Sequence, residues 1–348
     1  MGTRYRVGGS WGERCGRAVW VALVILVALV TGAVTFAAAQ QPQQPKKLSF
    51  ASVEQGTLGY ITSIAKGQKF DVKHGIDLEV KYFAISEGIN ALLFRKIELG
   101  YLPVIAAARA NLRGRDLRLI TPLMTSHFSV LVNTDDAAKS IADLKGRRLG
   151  ILDRNTGTYA DFAVNLKLAG YDFEKDFKVV TGAPQVYIGL LKRRELDAIV
   201  LFEPLVSKLL AAGWARELEN VDAMWKRQTG ADYLFSVGIG AYADWIEKNP
   251  DLTRAVQNMI ADSIRYLWQH PDEAVRANTG ILGLKTDAEV KTASARMALF
   301  YPQFWNAAML ENTKLAIKKN IELGFLPPQA VTVMDGMFRS MPREVSYR

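Results

Sequence analysis

"RRELDAIVLFEP", Arg193 to Pro204, and "FRKIELGYLP", Phe94 to Pro103, share one plan. Each opens on charge, runs through apolar residues and stops at a proline. A shift of 99 positions lays Arg194 on Arg95, Leu196 on Ile97 and Asp197 on Glu98. Short apolar runs bounded in this way read as buried strands. A proline suits the first turn of a helix, where its missing N–H would have no partner anyway. The two stretches therefore read as one strand-then-helix unit built twice.

Outward from this pair, strand and helix patterns alternate along the chain. "LSFASV" reads as a strand and "TLGYITSIAKGQKF" as a helix. "IDLEVKYF" is a strand, "EGINALLFRK" a helix, "IELGYL" a strand and "PVIAAARANLRG" a helix. "LRLITPL" and "HFSVLVN" are apolar strand-like runs. A second cycle of the same order begins near Ser140: "SIADLKGRRLGIL", "NTGTYADFAVNLKLAG", "FKVVTG", "PQVYIGLLKRR", "LDAIVLF" and "EPLVSKLLAAG". Such alternation argues for an α/β chain whose mostly parallel sheets carry crossover helices. "YLFSVGIGAY", from Tyr233, reads as a return strand, and the rest is mostly helical. The expected organisation is one lobe from 48–134 with 240–348 and a second from 135–239, the chain crossing near Asn133 and near Ile239.

The first forty residues are of another kind. Arg4, Arg6, Arg14 and Arg17 precede an uncharged apolar run, Ala18 to Phe36, and then "AAAQ", Ala37 to Gln40. These are the parts of a secretory signal peptide. Cleavage is expected after Ala39, leaving 40–47 as a polar leader; the alternative is an uncleaved anchor, since the run is close to spanning length. The single cysteine, Cys15, lies before the run, so a cleaved chain has no disulfide, thiolate metal site or cysteine nucleophile. Cleavage also lowers the formal charge from +9 to +6. That balance either steers anionic solutes or is a surface of no consequence. No basic run interleaved with aromatics points to nucleic acid.

The stretches "GIDLEVKYF", "ALLFRKIELGYLP", "IADLKGRRLGIL", "NTGTYADFAVNLKLAGYD" and "LDAIVLFEPLVSKLLAAG" together resemble the periplasmic solute-binding proteins of ABC importers. The resemblance is to the branch that carries nitrate, taurine, alkanesulfonates and thiamine-pyrimidine precursors, and it covers roughly Leu48 to Gly213. It implies a two-lobed, type II-like clamshell, a small-molecule ligand, a membrane permease as partner, a periplasmic location and a monomer. It implies no cofactor. That family usually has glycine where Arg95 and Arg194 stand, aspartate where Glu98 stands and often tryptophan at Phe202. Pyrimidine-forming enzymes of the superfamily carry a cysteine-rich motif that this chain lacks, which argues against an enzyme.

Ligands of open parallel sheets bind beyond the carboxyl ends of the strands, so the candidate site residues lie in the loops there. Gln55 and Thr57 are expected to hydrogen-bond a ligand and Tyr60 to wall it; alternatively Thr57 caps its helix. Tyr101 and Leu102 offer an aromatic ring and backbone amides before a helix, or a packed turn. Ser126 and His127 stand just before the hinge strand, or the histidine is structural. In "DRNTGTY" the amides of a helix start at Asn155, Thr156, Gly157 and Thr158 would grip an oxygen array such as a sulfonate or carboxylate; ordinary capping is the alternative. Phe202 supplies an apolar face, and Glu203 either accepts from a ligand donor or compensates a helix dipole. Tyr233 completes the set. No nucleophile–base pair, phosphate loop or metal-ligand spacing stands out. The rivals that remain are a ring-processing enzyme on the same fold and a membrane-tethered sensor.

Overall fold

Ten strands make two five-stranded sheets of the same order. The first sheet runs β2 (Ile76–Tyr82), β1 (Lys46–Ser52), β3 (Leu99–Pro103), β10 (Phe235–Tyr242) and β4 (Leu117–Thr125). The second runs β7 (Lys178–Thr181), β6 (Arg148–Ile151), β8 (Ala198–Phe202), β5 (Phe128–Asn133) and β9 (Ala215–Asn220). Each is mixed: β10 is antiparallel to both its neighbours in the first sheet, and β5 in the second. The computed structural model describes residues 1–4 and 44–348, apart from Gln55, His127 and Asn155 and the side chains of Ile85 and Ser86. The expected signal peptide and its cleavage site lie outside the described residues. Among the described residues no helix is long and apolar enough to cross a membrane.

The helices used below are α1 (Thr57–Gly67), α2 (Ile85–Leu93), α3 (Val104–Leu112), α4 (Gly157–Leu168), α5 (Pro184–Lys192), α6 (Leu205–Ala211), α7 (Val221–Thr229), α8 (Pro250–Gln269), α9 (Asp287–Arg296) and α10 (Ala307–Glu322). The repeated unit is now visible in detail. Helix α2 ends when the Arg95 amide donates to the Leu92 carbonyl and the Lys96 amide to Ala91. Ninety-nine residues on, α5 ends with Arg194 donating to Leu191 and Glu195 to Leu190. Both are Schellman closures, whose turning residue adopts the left-handed conformation and is usually glycine. Arg95 (φ 55°) and Arg194 (φ 61°) occupy that position. The next residues repeat too: the Glu98 carboxylate accepts from the Ser49 amide of β1, and Asp197 from the Arg148 amide of β6. Each acid thus ties the start of its own strand to the neighbouring strand, so the paired carboxylates are structural. Pro103 and Pro204 sit at the cap positions of α3 and α6, one residue outside the first turn.

Beyond β10 the chain is helical. Helix α8 buries Val256, Met259, Ile260, Ile264 and Leu267, a stripe of helical period, against a core it shares with β1, β3, β4 and β10. The second sheet buries one face under α4 and α7 and the other under α5 and α6. β3 and β10 approach closely: a Cβ on Gly240 would stand 2.6 Å from Leu102 Cδ2, which excludes a side chain there. β5 lies wholly in the second sheet and β10 wholly in the first, so the chain passes between them after Thr125 and again before Phe235. The sequence reading put these crossings near Asn133 and Ile239, at the far end of one strand and the middle of another. Nothing in an unbroken apolar run marks which sheet it joins.

Candidate functional site

Parallel strands in both sheets end toward the loops singled out above, and the structure separates those loops by what they touch. Thr57 opens α1, but its side chain makes no capping hydrogen bond; the cap is Gly56 at φ 109°. The Thr57 carbonyl accepts the Tyr301 hydroxyl at 2.8 Å. Tyr60 is fully buried, its ring edge-on to Tyr301 at 6.3 Å, and its hydroxyl has no hydrogen-bond partner among the described residues. Burial pushes that phenol far above its ordinary range. Tyr101 lies inside β3, buried edge-on to Phe50, with its hydroxyl toward Ser52 and the Val53 backbone. Leu102 is a core residue paired with Gly238, so its backbone belongs to the sheet and not to a helix start. Gln55, His127 and Asn155 lie outside the described residues.

On the second lobe's side, Thr156 is the cap of α4. Its Oγ1 accepts from the Tyr159 amide at 3.3 Å and donates to the Asp153 carbonyl at 2.7 Å. Gly157 follows with open space around its Cα, and Thr158 is buried. Beside this loop, Arg154 pairs with Glu174 and lies 5.5 Å from the Phe325 ring, on the rim of a cavity of about 150 Å³. Phe202 ends β8 half-buried, paired in register with Phe128. Tyr233 is buried against Phe304, ring centroids 5.9 Å apart, and donates its hydroxyl to the Phe304 carbonyl. Ser126 is fully buried; its amide donates to the Leu234 carbonyl at 2.8 Å, and its hydroxyl has no hydrogen-bond partner among the described residues.

Glu203 departs most from expectation. It is fully buried, accepting from the Ser207 amide at 3.1 Å and from Arg296 Nε at 2.7 Å. The same guanidinium reaches Glu217 through two further bonds, at 2.7 and 3.0 Å, and Glu217 also accepts the Ser129 hydroxyl at 2.5 Å. Burial opposes ionisation of Glu217, but the bonds from Arg296 and Ser129 outweigh it and hold the carboxylate below its usual range. So Glu203 does more than face a helix dipole. It shares a buried ion triad with a residue 93 positions away at the end of α9, a helix of the first core that packs on α6. Arg296, Glu217, Ser129 and Ser207 escaped the sequence reading because no local period links residues that meet only by tertiary packing. Ser129 sits in an apolar strand, where a lone hydroxyl in "HFSVLVN" was the one available signal.

The family model described as NMT1/THI5 like matches residues 58–274 of this chain. The chain belongs to the NMT1/THI5-like family. A Brucella abortus protein provisionally named a binding protein is 24% identical to this NMT1/THI5-like chain over 227 residues, 62% of this chain. The match spans 65% of the length of that relative. The fold is similar to the periplasmic aliphatic sulphonate binding protein SsuA from Escherichia coli, with a TM-score of 0.67 and 18% identity over 81% of this chain and 94% of that one. It is also similar to the periplasmic nitrate-binding protein NrtA from Synechocystis PCC 6803, with a TM-score of 0.63 and 13% identity over 84% and 86% of the two chains. The NMT1/THI5-like chain therefore has the two-sheet periplasmic-binding-protein fold that the resemblance implied.

Proposed function

We propose that this NMT1/THI5-like protein is an extracytoplasmic solute-binding protein that closes two lobes over a small organic ligand and delivers it to an ABC importer. Its place would be the periplasm and its partner the membrane permease. It would act without turnover of the ligand. The observation that carries this reading is the duplication. Two sheets of equal strand order support two facing lobes, with Tyr60 and Tyr101 buried in the first and Thr156, Gly157 and Thr158 opening a helix of the second. The names of the similar proteins favour a sulfonate or nitrate-like anion, and a carboxylate would suit the start of α4 equally well, since unpaired amides and the helix dipole favour negative charge. A pyrimidine-type ring would suit the tyrosines instead. Closure removes water and strengthens each polar contact.

Calorimetric titration of the exported protein with ethanesulfonate, nitrate, acetate and 4-amino-2-methylpyrimidine tests the assignment. One probe class should bind, and Thr156→Ala with Thr158→Ala should weaken an anionic probe by about 1–3 kcal/mol through lost hydrogen bonds. Glu203→Gln should leave affinity unchanged, because its carboxylate is committed to Arg296. Equal binding of every probe by wild type and the double variant would refute the placement of the site.

A further inference from the structure

Two carboxyl groups outside the candidate ligand loops sit where the chain passes between the sheets. Asp222 stands in the first turn of α7 and accepts from the Leu234 amide at 2.9 Å, on the second crossing. The Thr125 side chain and the Ser126 backbone, on the first crossing, lie near the same carboxyl. The crossings are also bonded to each other, Ser126 amide to Leu234 carbonyl. Asp161 projects from α4 of the second lobe and accepts the hydroxyl of Ser236, a residue of β10 in the first sheet, at 2.6 Å. It is 93% buried and lies within electrostatic reach of Asp222. Asp222 therefore holds the second crossing at Leu234, whose carbonyl takes the Ser126 amide of the first, and Asp161 ties a helix of one lobe to a strand of the other.

We infer that Asp161 and Asp222 form a proton-operated lock on the hinge, which favours the closed arrangement when protonated and releases it when ionised. This rests on the reading that the two lobes open and close. The chemistry follows from the charged groups on the elements packed around the pair. The one cation of α4, Lys167, lines the cavity beside Arg154. From the 230–234 loop come Tyr233, a neutral phenol, and Asp232, already paired with Lys226. From β9 comes Glu219, paired with Arg227. From α10, Lys314 and Lys319 are tied to Glu311 and Glu322. His127, one residue beyond Ser126, is outside the described residues and is handled by a variant below. With no described cation against either carboxyl, burial governs both. It pushes Asp161 up to about 7, against a hydrogen bond from Ser236 that lowers it. It pushes Asp222 up to about 8, against the Leu234 bond. The sign follows. An opened hinge lets water reach the acids and returns them to the ordinary range, so between pH 4 and 8, roughly, the closed form binds more protons than the open one. Closure should weaken as pH rises through that window.

The test uses single-molecule energy transfer on the full exported chain. Cys15 is replaced by Ser, and labels are placed at Glu79→Cys and Lys178→Cys, exposed positions on the outer strands β2 and β7. Two populations are expected, with the closed fraction falling at least threefold from pH 6 to pH 9. Asp222→Asn, which keeps an acceptor for the Leu234 amide, should abolish most of that change and hold the closed fraction high at pH 9. Asp161→Asn should remove part of it, and His127→Gln should leave it in place. Two populations whose ratio ignores pH, or a titration that survives in both Asn variants, would overturn the lock while leaving the clamshell intact. A single population at every pH, also with 1 mM ethanesulfonate or 4-amino-2-methylpyrimidine, would overturn both.

Discussion

Arg296 joins the fully buried Glu203 to the half-buried Glu217, so one guanidinium carries two acids withdrawn from water. Removing one member of a buried ion group leaves the others uncompensated, which costs about 3–5 kcal/mol. Arg296→Met should therefore lower unfolding free energy by about that amount in urea titrations. Adding Glu203→Gln should restore part of the loss, since the fully buried charge is then gone; no recovery would mean that the guanidinium acts by packing alone. The left-handed arginines lead to the opposite expectation. Arg194 holds φ 61° where glycine rests without strain, and its ion pair with Asp135 lies in water on both sides. Arg194→Gly should raise the urea midpoint. Arg95→Gly should raise it less, because Arg95 also stacks 3.6 Å over the Tyr242 ring. A fall in the midpoint for both would show that the pairs of Arg194 with Asp135 and of Arg95 with Asp244 outweigh the backbone strain.

At the level of elements, the α4 start is the place where folding and binding overlap. Thr156 caps the helix through Tyr159 and closes its own turn on Asp153. Thr156→Ala should cost about 1 kcal/mol of stability as a lost cap, read by thermal and urea melts. An unchanged melting curve would mean that the hydroxyl is held for a ligand and not for the helix. The elements themselves were largely legible in the sequence. The twin strands, the helices around them and the repetition of one strand–helix cycle follow from apolar period and from glycine and proline punctuation. β9 and α7 were not, because "ARELENVDAMWKRQ" alternates charge with apolar residues in neither a clean strand nor a clean helix period. Their absence hid Glu217 and Asp222. The strand assigned to each sheet was equally hidden: β5 follows β4 after two residues, and only tertiary pairing with β8 and β9 decides that it joins the second sheet. Of the site loops, those at 54–57 and 153–158 can be recognised by a strand, a polar turn and a helix in succession. Tyr101, Leu102 and Tyr233 cannot be sorted from core in this way, since a tyrosine or leucine at a strand end reads the same whether it meets a ligand or a neighbouring sheet.

Across the whole molecule, two sheets of the same order are joined by two chain crossings, by apolar packing of Val164 and Trp225 with Ala316, and by the ion triad at α9. α9, which buries Val290 and Ala293 in the first core, reaches the second sheet through Arg296. Lys208 of α6 reaches back to the Gly283 carbonyl at 2.9 Å. Such contacts are what a hinge motion would have to break and remake. Native mass spectrometry of the protein purified without denaturant from a secreting host tests the central claim most directly. The account predicts a chain lacking residues 1–39, carrying one small organic molecule in one-to-one ratio. That molecule should be released unaltered on unfolding and persist unchanged through hours of incubation. A bound molecule that converts to a second mass with time would mark an enzyme, and a chain that never carries a ligand, from any host or medium, would contradict the account.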